Sequence, residues 1–133
     1  FILPIRNPLD CAMSNQNTGM SNIFHKINPN STYQEILKSI LDDFLLFFNY
    51  QRQLSSNFFH YYQHSFNEST LKGFCNYLDL PFDERWKNDV LDIYNIKESY
   101  THKKEDIDFY EEYISTNFKD FPDEMEKLLQ FIK

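Results

Sequence analysis

The apolar residues follow two different spacings, which divide the chain into a strand-like start and several helices. The first five residues, FILPI, are nearly all apolar, and such a run predicts a strand covered on both faces. The pattern changes at Asn7-Pro8, because Asn is a favoured helix N-cap and Pro suits the first helical position. We therefore predict a helix from Pro8, with Asp10 in its first turn and a stop at Gly19.

A wide apolar stripe indicates a long and well-buried second helix. Thr32 and Glu35 have the spacing of a capping box, in which each side chain bonds the backbone N–H of the other residue. Beyond this cap, apolar residues recur every three or four positions. Asp42 and Asp43 fall outside the stripe, so we expect them to face solvent. The stripe consists of Tyr33, Ile36, Leu37, Ile40, Leu41, Phe44, Leu45 and Phe48.

The rest of the chain predicts a short strand and further helices. Residues 58–62, FFHYY, are aromatic and bounded by polar residues, which favours a strand. A helix is predicted over about 67–79, with Ser65 or Asn67 as its cap, and Cys75 falls on its apolar face. Two more helices are predicted, one over about 104–116 and one starting at Pro122.

Composition and charge narrow the classes of function. The chain has 133 residues, enough for a core, and its net charge of −7 disfavours a broad nucleic-acid surface. No apolar run reaches membrane-spanning length, and no signal-peptide pattern is present. Cys11 and Cys75 are too few for a disulfide framework, so we predict a reducing, cytoplasmic setting. The sequence contains no cluster of Cys and His residues that would predict a metal site. Because the net charge is negative, any phosphate site must depend on a few nearby residues.

Arg6 and Ser14 are the candidate ligand-binding residues. Arg6 directly follows the predicted strand, and ligands of α/β sheets bind outside the carboxyl ends of strands. Asn7 and Ser14 are two helical turns apart, so they share a face and lie roughly 10 Å from each other. The long Arg6 side chain can bridge much of that distance, and both residues could then donate to one phosphate. A buried strand with an arginine that caps local carbonyl groups explains the same pattern.

The run IRNPLDCAMSNQNTG resembles the 3′-phosphate-binding motif of the PAPS-dependent sulfotransferases (PAPS is 3′-phosphoadenosine-5′-phosphosulfate). In that family a strand is followed by Arg-Asn/Asp-Pro-x-Asp and then by a Ser eight residues after the Arg. Arg6, Asn7, Pro8, Asp10 and Ser14 match at that spacing. Because the family's Arg and Ser bind the 3′-phosphate, the resemblance implies this role for Arg6 and Ser14.

Later segments also resemble this family. The text CNYLDLPFDERW is similar to the end of a family helix and its Leu-Pro-Phe turn, with Asp79 in place of Gly. The preceding strand exit carries Gln63 where the family has Glu. Lys97, Tyr100 and Lys103 fall where the family chain returns to the nucleotide, and the resemblance implies a looser cofactor-binding role for them.

The resemblance implies an α/β fold class. The chain would be the C-terminal part of a P-loop-like sulfotransferase fold, a parallel sheet flanked by helices, and would itself be mostly helical with two or three strands. Residues 1–133 would then belong to one domain whose N-terminal part, with the 5′-phosphosulfate loop, precedes Phe1. The implied reaction is sulfuryl transfer from PAPS to a hydroxyl or amine of a small-molecule or glycan acceptor. We expect this part to be inactive alone, and it offers no catalytic residue.

Two other functions fit the same residues. Another P-loop-class phosphate-transfer enzyme also places Arg and Ser near phosphates, but it requires a Walker A loop and a magnesium-binding carboxylate. A non-catalytic helical interaction domain would instead use the aromatic stripes as an interface. This second alternative predicts that Arg6→Ala leaves nucleotide binding unchanged.

Overall fold

The computed structural model describes residues 1–18, 30–54, 58–94 and 100–133. This part of the chain is mostly helical, with a small parallel sheet. In chain order the elements are β1 (Ile2–Ile5), α1 (Pro8–Thr18), α2 (Tyr33–Gln53), β2 (Phe59–Tyr62), a 3₁₀ turn (Gln63–Ser65), α3 (Glu68–Leu78), α4 (Glu84–Ile93), α5 (Lys104–Asn117), α6 (Pro122–Leu129) and a last 3₁₀ turn (Gln130–Ile132).

The two strands lie side by side in the same direction. Ile2 is opposite Phe59 and Ile5 is opposite Tyr62 in the parallel register. Parallel neighbours bring their carboxyl ends to the same edge of a sheet. Arg6, which follows β1, therefore lies at the edge where the chain also leaves β2.

The prediction that β1 is covered on both faces is wrong. Ile5 is buried and Leu3 packs against the core, but Ile2 is 41% exposed and Pro4 is exposed too. Successive side chains of a strand point to opposite faces, so β1 buries one face only within the described part of the protein. A continuous apolar run carries no alternation that would have revealed this.

The core forms around α2, which packs against α1 and α5. The predicted capping box is present: Thr32 accepts from the Glu35 N–H, and the Thr32 N–H donates to Glu35 Oε2 over 2.7 Å. Asp42 and Asp43 are exposed, as predicted. The most deeply buried side chains are Ile5, Leu9, Ile36, Leu37, Leu41, Phe48, Tyr110, Ile114, Phe118 and Leu128.

The other helix boundaries agree closely with the sequence pattern, with one exception. Asn67 caps α3 by accepting from the Thr70 N–H at 3.2 Å, which settles the choice of cap. Helices α5 and α6 begin where they were predicted, whereas α4 was not predicted at all. The predicted stop at Gly19 lies outside the described residues. No helix in the described ranges is long and apolar enough to cross a bilayer.

Candidate functional site

Arg6 lies at the carboxyl end of β1, immediately before α1. Its side chain is exposed, and it makes no hydrogen bond or ion pair with any other residue that the structure describes. The chain has 20 acidic and 13 basic residues, so acidic partners are abundant. An arginine without a partner among the described residues is available to an anionic ligand.

The charge of Arg6 acts on residues of two helices. Burial raises the pKa of the Cys11 thiol in α1, and the nearby Arg6 guanidinium opposes this rise. Burial also raises the pKa of the Tyr94 phenol, Tyr61 adds to the increase, and Arg6 again opposes it. Arg6 therefore acts electrostatically on α1 and on Tyr94, which directly follows α4.

Helix α1 carries Ser14 at an exposed position. Asn7 caps this helix, because its Oδ1 accepts from the Leu9 N–H at 3.1 Å. Ser14 is exposed and lies one turn beyond Cys11, on the same face of the helix. Ser14 and Arg6 are both exposed, and no contact among the described residues joins them.

The other residues predicted from the sequence are not joined to Arg6 by any contact in the described chain. Tyr100 is 40% exposed. The Lys103 ammonium is exposed, and its Nζ lies 3.7 Å from Glu105 Oε1. Lys97 lies outside the described residues.

His102, Asp10 and Tyr33 form a polar cluster. His102 Nε2 is 2.7 Å from Asp10 Oδ1, and the two side chains are only 10% and 15% exposed. His102 Nδ1 is 3.5 Å from the Tyr33 hydroxyl, which donates to the Leu9 carbonyl at 2.9 Å. The cluster ties α1, the start of α2 and the segment before α5 together.

The charges of this cluster follow from its burial. Burial raises the pKa of the Tyr33 phenol, and the carboxylates of Asp106 and Asp10 raise it further, so the phenol stays neutral. A carboxylate only accepts hydrogen bonds, so His102 Nε2 is the donor to Asp10 Oδ1 in this contact. Asp10 and His102 are 92 residues apart, so no local spacing in the sequence predicted their contact.

A cavity of about 300 Å³ lies beside β2 and the start of α3. His60, Tyr62 and Lys127 are among its lining residues, and Arg6 and Ser14 are not. His60 Nδ1 and the Tyr62 hydroxyl are buried without a hydrogen-bond partner in the described part of the chain. Burial lowers the pKa of His60 to about 4, and the charge of Lys127 lowers it as well, so this imidazole is neutral at neutral pH.

Comparisons with known proteins give no relative for this chain. No protein-family model, no curated protein and no solved structure matches it. Within the described ranges, no group of three or more His, Cys, Asp or Glu side chains could hold a metal ion. Any function assigned to the chain therefore depends on its own residues and their geometry.

Proposed function

We propose that the chain is the C-terminal part of a PAPS-dependent sulfotransferase domain, with a P-loop-like α/β fold, and that Arg6 and Ser14 hold the 3′-phosphate of the cofactor. The observation that carries this proposal is Arg6 at the carboxyl end of a parallel strand, where no other described residue pairs with it. Ligands of parallel sheets bind at this edge. The order of strand, Arg-Asn-Pro and helix is also the order that the resemblance implies.

The two residues supply complementary donors to a phosphate. A guanidinium can donate two parallel hydrogen bonds to phosphate oxygens, and each is strengthened by the charge. The Ser14 hydroxyl adds a neutral donor about two turns further along α1. In a chain of net charge −7, this local pair would be needed to attract an anion.

The proposed reaction is an in-line transfer. The bond between sulfur and the 5′-phosphate oxygen breaks, the electron pair stays on that oxygen, and sulfur bonds to the acceptor oxygen or nitrogen. A base takes the acceptor's proton, and adenosine 3′,5′-bisphosphate leaves. Arg6 and Ser14 would bind a phosphate that does not react, so they would contribute affinity and orientation. The small-molecule or glycan acceptor, the base and the 5′-phosphosulfate loop would be bound or supplied by other parts of the protein.

The setting of this reaction is also part of the proposal. Cys11 and Cys75 are free thiols, and a reducing compartment such as the cytoplasm keeps thiols in that state. Lys97, Tyr100 and Lys103 would approach the nucleotide from the segment before α5.

The test compares two nucleotides that differ only in the 3′-phosphate. The full-length protein that contains this chain is titrated calorimetrically with adenosine 3′,5′-bisphosphate and with adenosine 5′-monophosphate. We expect the bisphosphate to bind more tightly. Arg6→Ala should weaken its binding about 10- to 100-fold, the scale of a charged hydrogen bond, and should leave the monophosphate unaffected. Arg85→Ala removes an exposed arginine of α4 and serves as the matched control.

Two results would overturn the proposal. Equal affinity of the wild type and Arg6→Ala for the bisphosphate would remove Arg6 from the phosphate site. Tight, magnesium-dependent binding of a nucleoside triphosphate would instead favour another P-loop-class phosphate-transfer enzyme.

A helical interaction domain is the second candidate, and one observation favours it. Leu46, Tyr50 and Leu54 are spaced four residues apart along α2 and its end, and each is about half-exposed. Residues at this spacing form one apolar row on a helix. If this candidate is correct, Arg6→Ala leaves nucleotide binding unchanged and Tyr50→Glu alters the mass measured by sedimentation.

A further inference from the structure

We infer that His102 is a positioning residue of the proposed phosphate site, because it holds the Asp10 carboxylate and thereby leaves the Arg6 guanidinium free for the ligand. The inference rests on the proposed function of Arg6 and Ser14. The inference gives a role to the cluster of His102, Asp10 and Tyr33, which has no other part in the proposed binding of the cofactor.

Asp10 is the acidic residue nearest to Arg6 along the chain, four positions further on. Both charges act on the Cys11 thiol, whose pKa Asp10 raises and Arg6 lowers. Asp10 is four residues before Ser14 on α1, so the two residues lie on the same face of the helix. A carboxylate free to move on this face would pair with Arg6 and would repel an incoming phosphate.

The contacts of His102 hold the Asp10 carboxylate in place. The 2.7 Å contact from His102 Nε2 to Asp10 Oδ1 is largely shielded from water, since neither side chain is more than 15% exposed. The second ring nitrogen lies 3.5 Å from the Tyr33 hydroxyl. That hydroxyl is itself anchored on the Leu9 carbonyl. The short contact with Asp10 is therefore the one that orients the imidazole, since 3.5 Å is at the outer limit of a hydrogen bond.

Among the described residues Arg6 has no acidic partner, as this role of His102 requires. Asp10 is four residues away along the chain, yet Arg6 makes no ion pair with any residue in the described ranges. The buried Asp106 acts on Tyr33, so the cluster also contains a second acid.

The experiment measures bisphosphate and monophosphate binding by the full-length protein. His102→Ala should weaken bisphosphate binding about 3- to 10-fold, which is the scale of a single ion pair that is partly shielded from water. It should leave the affinity for the monophosphate unchanged. Adding Asp10→Asn to His102→Ala should restore binding to within about twofold, because a neutral amide does not compete for the guanidinium. His102→Gln should bind nearly as the wild type does, since its amide nitrogen can still donate to Asp10.

Controls separate this role from simple packing. His64→Ala removes an exposed histidine whose Nε2 donates to the Lys127 carbonyl at 2.9 Å, and it should leave both affinities unchanged. If the double variant binds as weakly as His102→Ala, the loss comes from packing and the inference is wrong.

If His102→Ala does not fold, Asp10→Asn alone decides: binding at least as tight as that of the wild type supports the inference, and weaker binding overturns it. A wild type that does not distinguish the two nucleotides would instead overturn the proposed function.

Discussion

The backbone N–H of Leu80 donates a 2.9 Å hydrogen bond to the carbonyl of Cys75 and so closes the end of α3 around Asp79. Asp79 has φ 55° and ψ 43°, in the left-handed region. Helices commonly end on such a residue, which is usually Gly because a Cβ is unfavourable there.

We expect Asp79→Gly to raise the free energy of unfolding by about 0.5–1 kcal/mol, because Gly adopts the left-handed conformation without steric cost. Urea unfolding of the two proteins measures the difference. Asp79→Ala is the matched control and should be less stable than the wild type, since Ala keeps the Cβ and loses the polar side chain. A glycine variant that is less stable than the wild type would contradict this prediction.

A buried tyrosine and a more exposed one on α5 allow a second comparison. Tyr110 is fully buried and its hydroxyl donates to the Leu128 carbonyl at 2.8 Å. Tyr110→Phe should lower the free energy of unfolding by about 1–2 kcal/mol, because the buried carbonyl loses its partner. Tyr113 donates to Asp42 at the surface, and Tyr113→Phe should cost less than about 1 kcal/mol. Equal losses in chemical unfolding would count against the buried hydrogen bond.

The third prediction concerns the dependence of stability on pH. Burial lowers the pKa of His60 to about 4 from 6.5, so the unfolded chain binds the proton more tightly than the folded one. The contribution of a neutral, buried His60 to the free energy of unfolding is therefore fully present above about pH 6.5. It is lost as the pH falls towards 4, and the loss amounts to at most about 3 kcal/mol. His60→Phe, which fits the surrounding aromatic rings, should reduce this slope. Identical slopes for both proteins between pH 6.5 and 4 would show that His60 is not responsible.

Local signals in the sequence predicted most of the helices. The Thr32–Glu35 capping box and the Asn67 cap mark helix starts through contacts within one turn, and Pro122 marks one through its fixed φ and missing N–H. Helix α4 has no apolar stripe that would predict a helix, because none of its residues is buried and its sequence is mostly polar. It was therefore missed, although Asp83 caps it by accepting from the Trp86 N–H.

Only those parts of the candidate site that depend on neighbouring residues in the sequence were predictable. The positions of Arg6 and Ser14 follow from the strand, the Asn-Pro helix start and the helical repeat. The contact between Asp10 and His102 depends on how α1 and the segment before α5 meet in the fold. The one-sided burial of β1 likewise depends on which elements cover the sheet. Neither property is encoded in a short spacing, so each required the tertiary structure.

The parallel pairing of β1 with β2 has a consequence for the order of folding. Ile2 meets Phe59 only after α1 and α2 have crossed between the strands, so the closure of a long loop precedes any gain from the sheet. The capped helix α2 depends on local contacts and can form earlier. The edge that carries Arg6 is thus completed late, and an anion bound there would stabilise the last step of folding rather than the first.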